Sequence, residues 1–336
     1  MHPDAVPAVD RVAHGSCDER DVLDFSANVN PERPRGVGRV YGSALAAAGS
    51  YPDDGYDRFR AAAGDYLGCD PADVVPTPGG LAAVRLAVET LVGPGDTVLV
   101  PAPSFGEYAR EVRLQGAEPS FVDHDALLSA EPGEHALAVV CNPNSPTGDA
   151  YDPARLEAFA ERSRAAGTPL VVDEAFLGFT DRRTLAGTDG VVVARSLTKL
   201  FGLPGLRMGF AVATGNLGDR LAAARRTWNL SVPAAHVGAH CMRATGFVER
   251  TRRRVRSERR RMAQALAGDF GVHPSDAPFL LLDVGDRRVA DVLARARERG
   301  LVLRDARTYR GLDSHVRVAV RRPAENDRLL DALTDV

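Results

Sequence analysis

The sequence predicts an α/β protein: a mostly parallel central sheet flanked by helices, plus a smaller C-terminal α/β domain. Three observations carry this. From about residue 95, short apolar β-rich runs alternate with helical stretches, which is the pattern of βαβ units. Runs such as Ala138 to Cys141 and Leu170 to Val172 are apolar at every position, as expected of strands covered by helices on both faces. After about residue 217 the texture changes to long helical sequence and then to a second set of strands. The 336 residues allow roughly two domains of about 100 to 200 residues each. The expected divisions are an N-terminal arm over 1–30, a large domain over 31–217 and a small C-terminal domain over 218–336.

In chain order, strands are predicted over 96–100, 118–122, 136–141, 170–172, 191–194 and 208–213. Helices over about 79–92, 104–115 and 153–166 lie between them, each entered through Gly, Pro, Ser or Asp. A long helix is expected over 218–268, followed by strands at 279–284, 301–304 and 316–320 and helices at 288–299 and 324–334. Ligands in open α/β sheets collect at the carboxyl ends of strands, so the loops leaving these strands are where chemistry is expected.

Composition excludes several classes. With 44% hydrophobic and 26% charged residues, 32 Gly and 22 Pro, the chain is neither collagen-like, disordered nor a small disulfide scaffold. A net charge of -3 gives no global electrostatic case for nucleic acid. Eight arginines crowd residues 250–261, but Glu258 interrupts them and Glu249 precedes them, so they are expected to form the solvated face of a helix. Cys17, Cys69, Cys141 and Cys241 are far apart and form no Cys-x-x-Cys, as suits a reducing cytoplasm. No apolar run reaches the ~18 residues needed to span a bilayer, so a cytoplasmic protein without membrane association is expected. His236, His240 and Cys241 have ligand types at helical spacing, but no further nearby ligand. They are expected to pack, and no metal site is expected.

One count stands out. Of 42 basic Lys and Arg side chains, 41 are Arg and one is Lys199. Lysine can lose its proton and form an imine, which guanidinium cannot do at any pH of interest.

Lys199 sits in one of four loops with polar chemistry. Thr77-Pro-Gly-Gly-Leu-Ala opens a helix, and free amides there make a nest for an anion. Asn142-Pro-Asn-Ser-Pro-Thr-Gly148 leaves a buried strand as a rigid loop. Asp173 and Glu174 end another strand, where a carboxylate needs a cationic partner. Arg195-Ser-Leu-Thr-Lys puts the Ser196 and Thr198 hydroxyls beside Lys199, and Arg207 follows eight residues later. Hydroxyls with an arginine suit a phosphate, the lysine suits an aldehyde, and Asp173 suits a protonated ring nitrogen. Those demands coincide in pyridoxal 5'-phosphate (PLP).

The order Tyr51-Pro-Asp, Asn142-Pro-Asn-Ser-Pro-Thr-Gly, Asp173-Glu-Ala-Phe, Ser196-Leu-Thr-Lys and Gly205-Leu-Arg resembles the aspartate-aminotransferase-like fold, fold type I of PLP enzymes, over about residues 14–334. Within it the chain is similar to threonine-phosphate decarboxylases of cobalamin biosynthesis and then to histidinol-phosphate aminotransferases. The decarboxylases are favoured by His14-Gly, by Asp24-Phe-Ser-Ala-Asn-Val-Asn-Pro31 and by the tail Tyr309-Arg-Gly-Leu-Asp with Arg317-Val-Ala-Val-Arg321. The wording Trp228-Asn-Leu-Ser-Val-Pro-Ala is closer to the aminotransferases.

The resemblance implies a PLP-dependent decarboxylation of L-threonine O-3-phosphate to (R)-1-aminopropan-2-yl phosphate. The alternative is transamination of the histidinol-phosphate type. A non-catalytic PLP-binding regulator is a third reading; such proteins usually carry a DNA-binding domain, and only 13 residues precede the matched region.

The resemblance also implies roles. Lys199 would form the imine with the cofactor and Asp173 would hold the ring-nitrogen proton, while Phe105 would stack on the ring. Gly80, Leu81, Ser196, Thr198 and Arg207 would hold the cofactor phosphate, with Tyr51 reaching it from the second subunit of a homodimer. Asn142, Ser145 and Phe176 belong to the cofactor surroundings. Arg317 matches a carboxylate clamp, and Arg321, His14 and Asn28 are candidates for the rest of a small phosphorylated substrate. Ser145 stands where many relatives have Asn, and Phe176 where many have Tyr, so donors to the cofactor's phenolic oxygen are fewer here.

Overall fold

The computed structural model describes residues 1–17, 19 and 21–334. The chain runs β1 (Leu23–Asp24), α1 (Val37–Ala47), α2 (Asp57–Leu67), β2 (Val74–Thr77), α3 (Gly80–Leu91), β3 (Thr97–Ala102), α4 (Glu107–Leu114), β4 (Glu118–Asp123) and β5 (Leu137–Cys141). It continues through α5 (Pro153–Ala165), β6 (Leu170–Asp173), β7 (Val191–Ser196), β8 (Gly209–Val212), α6 (Gly215–Ala224), α7 (Val232–Met242) and α8 (Thr245–Leu266). The last part comprises β9 (Gly271–Val272), β10 (Phe279–Asp283), α9 (Val289–Glu298), β11 (Leu301–Val302), β12 (Arg304–Asp305), β13 (His315–Ala319) and α10 (Pro323–Thr334).

The central sheet has the order β2-β8-β7-β6-β5-β3-β4. Strands β7, β6, β5, β3 and β4 are parallel, and β8 is antiparallel to both neighbours. Two antiparallel steps therefore return β2 to the direction of β7, so α3 starts on the same edge where β6 and β7 end. Alternate side chains enter two cores: Val139, Val171 and Val192 pack on one face, while Ala138, Val140, Val172 and Val193 pack on the other. Burial of both faces is why these strands read as unbroken apolar runs.

The expected helix over 218–268 is three helices, α6, α7 and α8. The first break lies at 225–231: Ser231 caps α7 by accepting from the Ala234 N–H at 3.3 Å, and a proline follows in the first turn. The expected strand over 301–304 is also divided. β11 pairs in parallel with β1, whereas β12 pairs with β13 in a separate sheet of order β12-β13-β10-β9. The arginines of α8 are largely stitched to the body. Arg252 and Arg256 pair with Asp181, Arg261 with Glu258 and Asp327, and Arg254 donates to Asn30 Oδ1. No helix among the described residues is long and apolar enough to cross a membrane.

Candidate functional site

A cavity of about 310 Å³ opens at the carboxyl ends of β5, β6 and β7 and the amino terminus of α3. Thirteen of the residues singled out in the sequence line it: His14, Asn28, Gly80, Leu81, Phe105, Ser145, Asp173, Phe176, Ser196, Thr198, Lys199, Arg207 and Arg317.

One side of the cavity is built for an anion. The helix α3 begins at Gly80 and leaves its first amides without helical partners. The Ser196 and Thr198 hydroxyls lie 2.8 Å apart beside it. Arg207 packs so close to the preceding turn that a Cβ on Gly79, which has φ +103, would stand 2.7 Å from its guanidinium Nη2. A side chain there would be strained by the positive φ and would push the guanidinium aside, so glycine keeps the arginine at this edge.

Lys199 follows these hydroxyls at the end of β7. Burial, with the positive charges of Arg317 and Arg207, lowers its pKa to about 8, opposed by Asp173. Its amine is therefore readily neutral, as imine chemistry requires. Asp173 is buried at the end of β6, and burial raises its pKa. Two donors counter that effect: the Tyr108 hydroxyl at 2.7 Å and the Ala175 N–H at 2.9 Å. Lys199 and Arg195 add positive charge, so Asp173 is a held carboxylate able to meet a cationic ring nitrogen. The neighbouring Glu174 is tied to Arg195, Thr184 and the Leu185 N–H, which locks the two strand ends together. Phe105 lies edge-on to Tyr108 with ring centroids 5.5 Å apart and supplies an aromatic wall. Anion nest, neutralisable lysine, held carboxylate and aromatic wall together fit a phosphorylated pyridine aldehyde.

The opposite wall is cationic. Arg317 is 5% exposed and donates to Ser145 Oγ at 3.0 Å, to the Tyr309 hydroxyl at 2.7 Å and to the Ser26 carbonyl at 3.3 Å. Directly opposite it in the β12–β13 register stands Arg304, 7% exposed and also lining the cavity. Arg304 donates to the Ala13 carbonyl and Thr308 Oγ1. Both Nε atoms and Asn28 Oδ1 are buried and have no hydrogen-bond partner among the described residues. Like charges facing each other across strands are unfavourable, and more so when buried, unless an anion lies between or beside them. At the cavity's edge, His14 Nε2 is 2.8 Å from Glu107 Oε1.

Three candidates lie elsewhere. Asn142 is buried in its loop, where Oδ1 accepts from the Tyr151 N–H at 3.0 Å. Tyr51 is 75% exposed and stacks on Trp228 outside the cavity, centroids 4.1 Å apart. Arg321 donates to the Asp24 carbonyl at 2.9 Å and pairs with Glu325 at 3.1 Å, so the structure does not bring it to the cavity. Arg304, Tyr108 and Thr308 were not singled out in the sequence. Their signal is only positional: Tyr108 is one helical turn beyond Phe105, and Arg304 needs the strand register to be seen.

A family model described as aminotransferase class I and II matches residues 21–333. Over 95% of its length the chain is similar to histidinol-phosphate aminotransferase 2 of Archaeoglobus fulgidus, with 29% identity and 94% of that protein covered. It is 31% identical to the threonine-phosphate decarboxylase of Salmonella typhimurium, covering 94% of this chain and 91% of that one. Among solved structures, histidinol-phosphate aminotransferase from Sinorhizobium meliloti in complex with pyridoxal-5'-phosphate superposes with a TM-score of 0.83. The identity is 22%, with 91% of this chain and 88% of that chain covered.

Proposed function

Since the chain belongs to the aminotransferase class I and II family and its cofactor is pyridoxal 5'-phosphate, we propose that it decarboxylates L-threonine O-3-phosphate to (R)-1-aminopropan-2-yl phosphate, a step of cobalamin biosynthesis. The observation that carries this reading is the buried cation pair Arg304 and Arg317, which share one wall of the cavity in direct cross-strand register. A substrate with both a carboxylate and a phosphate matches that pair, beyond the phosphate that Arg207 would hold. The resemblance of the tail around Tyr309 to Arg321 adds to it.

When bound, the cofactor's ring supplies an acceptor for the electron pair released at the substrate's α-carbon. Asp173 would keep the ring nitrogen protonated, with Tyr108 fixing the carboxylate. Lys199, with a pKa lowered to about 8, is unprotonated in roughly a tenth of molecules at pH 7, and once released from the cofactor its amine can move a proton at the α-carbon. Arg317 would orient the carboxylate and Arg304 the substrate phosphate, with His14, braced by Glu107, at the rim. The exposed Tyr51 would meet the cofactor phosphate of a second copy in a homodimer, which makes activity dependent on association; sizing the protein and assaying dilutions tests this.

The deciding experiment is product analysis. Incubation with pyridoxal phosphate and L-threonine phosphate should release CO2 and aminopropanol phosphate. Formation of the keto phosphate from histidinol phosphate, with 2-oxoglutarate taking up the amino group to give glutamate, would establish the transaminase reading favoured by the Archaeoglobus relative instead.

A further inference from the structure

Away from the cavity, two imidazoles meet on the small sheet. His273 follows β9 and His315 opens β13, so they flank β10 from its two sides. Their Nε2 atoms are 3.1 Å apart and the ring planes are inclined by 55°. Neither Nε2 makes another hydrogen bond among the described residues, and both side chains are only partly buried, so solvent reaches them. We propose that His273 and His315 form a two-histidine site for a borderline divalent transition-metal ion, zinc or copper, completed by water.

The separation is the main argument. With metal–nitrogen bonds of about 2.0–2.1 Å, two imidazoles on one ion stand about 2.9 Å apart at a right angle and about 3.3 Å apart at the tetrahedral angle. The observed 3.1 Å falls between these values, so an ion can bind at the solvent side of the pair with small ring rotations and no backbone movement. Imidazole is a favoured ligand of copper and zinc. The surroundings add support for the ring and the charge. Ser314 Oγ lies 3.4 Å from His315 Nδ1, and Asp283, the register partner of His315 in β10, is close enough to interact electrostatically with both rings. Among the described residues no group of three or more His, Cys, Asp or Glu is placed to hold a metal. The site is therefore bidentate, and its ion is exchangeable rather than structural. The two residues are 42 apart in sequence, so no spacing motif announces them.

The test is a copper titration of the holoenzyme followed by electron paramagnetic resonance. It is done in a His2→Asn background, because the terminal amine next to His2 is itself a copper chelator. One equivalent should show two equatorial imidazole nitrogens, and zinc in large excess should compete for the same site. His273→Asn and His315→Asn should each weaken binding by about tenfold or more, while His236→Asn should leave it unchanged. A signal from a single nitrogen, or undiminished affinity in either variant of the pair, would overturn the proposal and leave an ordinary N–H···N hydrogen bond between neutral rings. The nitrogen count on the unsubstituted pair decides the matter even if a variant fails to fold.

Discussion

Lys199→Met should make the apoenzyme more stable near neutral pH, and the single lysine of the chain makes the effect separable from all others. Burial, with Arg317 and Arg207, lowers the Lys199 pKa from 10.5 to about 8. Between those values the unfolded chain binds more protons than the folded one, so this group's contribution to stability rises with pH through the window and is lost as pH falls towards the folded value. At about 1.4 kcal/mol per pKa unit, the buried ammonium costs about 3 kcal/mol at pH 7 and about 1 kcal/mol at pH 9.5. Methionine keeps a similar unbranched shape without a titrating group. The variant should therefore gain about 3 kcal/mol at pH 7, shrinking to about 1 kcal/mol at pH 9.5, in urea unfolding followed by circular dichroism. Reductive methylation with ¹³C provides a second readout: one lysine signal, titrating near pH 8. A gain that does not vary with pH, or a lysine signal titrating near 10.5, would refute the assigned environment.

Three further outcomes are expected. Tyr108→Phe removes a 2.7 Å donor to Asp173, a charge-assisted bond of about 1.5–3 kcal/mol, so cofactor affinity should fall roughly ten- to hundredfold in a fluorescence titration; an unchanged affinity would count against Asp173 as the ring partner. Arg304→Met should raise the KM for L-threonine phosphate by a similar factor of roughly ten to a hundred, whereas Arg321→Met should leave it within about twofold and lower the melting temperature instead; the reverse order would restore Arg321 to the site. Borohydride reduction of the holoenzyme should fix a pyridoxyl group on one peptide only, and Lys199→Arg should lose both the label and turnover, which peptide mapping and the product assay will read.

The parallel strands were legible because burial on both faces leaves no polar residue to break the apolar run, as in β5 and β6, where every position is buried. The edge strand β2 was not, since its Pro76 argues against a strand; the ladder tolerates it because β2 pairs only with β8. Nor was the break before α7, where Trp228 takes a left-handed conformation with φ +54 and Arg225 is clamped by Asp54. Tertiary contacts, not local propensity, end α6 there. In the site, Lys199, Asp173 and the Ser196–Thr198 pair were readable because each lies at the end of a readable strand. Tyr108 was hidden inside a helix whose amphipathic pattern already accounts for an aromatic residue.

Arg304 and Arg321 show what strand reading lacks. Residues 317, 319 and 321 have the alternation that would put them on one face, so Arg321 follows from Arg317 if the strand continues. It does not: β13 ends at Ala319, and Pro323 starts α10, whose Glu325 captures Arg321. Arg304 belongs to a two-residue strand, too short to be recognised by pattern, yet antiparallel pairing sets it directly across from Arg317. Alternation predicts faces within a strand, but only register predicts which charges meet between strands. Like the buried Lys199 amine, a buried pair of like charges is an arrangement that folding alone would select against, so the pair is accounted for by the doubly anionic substrate proposed above rather than by a gain in stability.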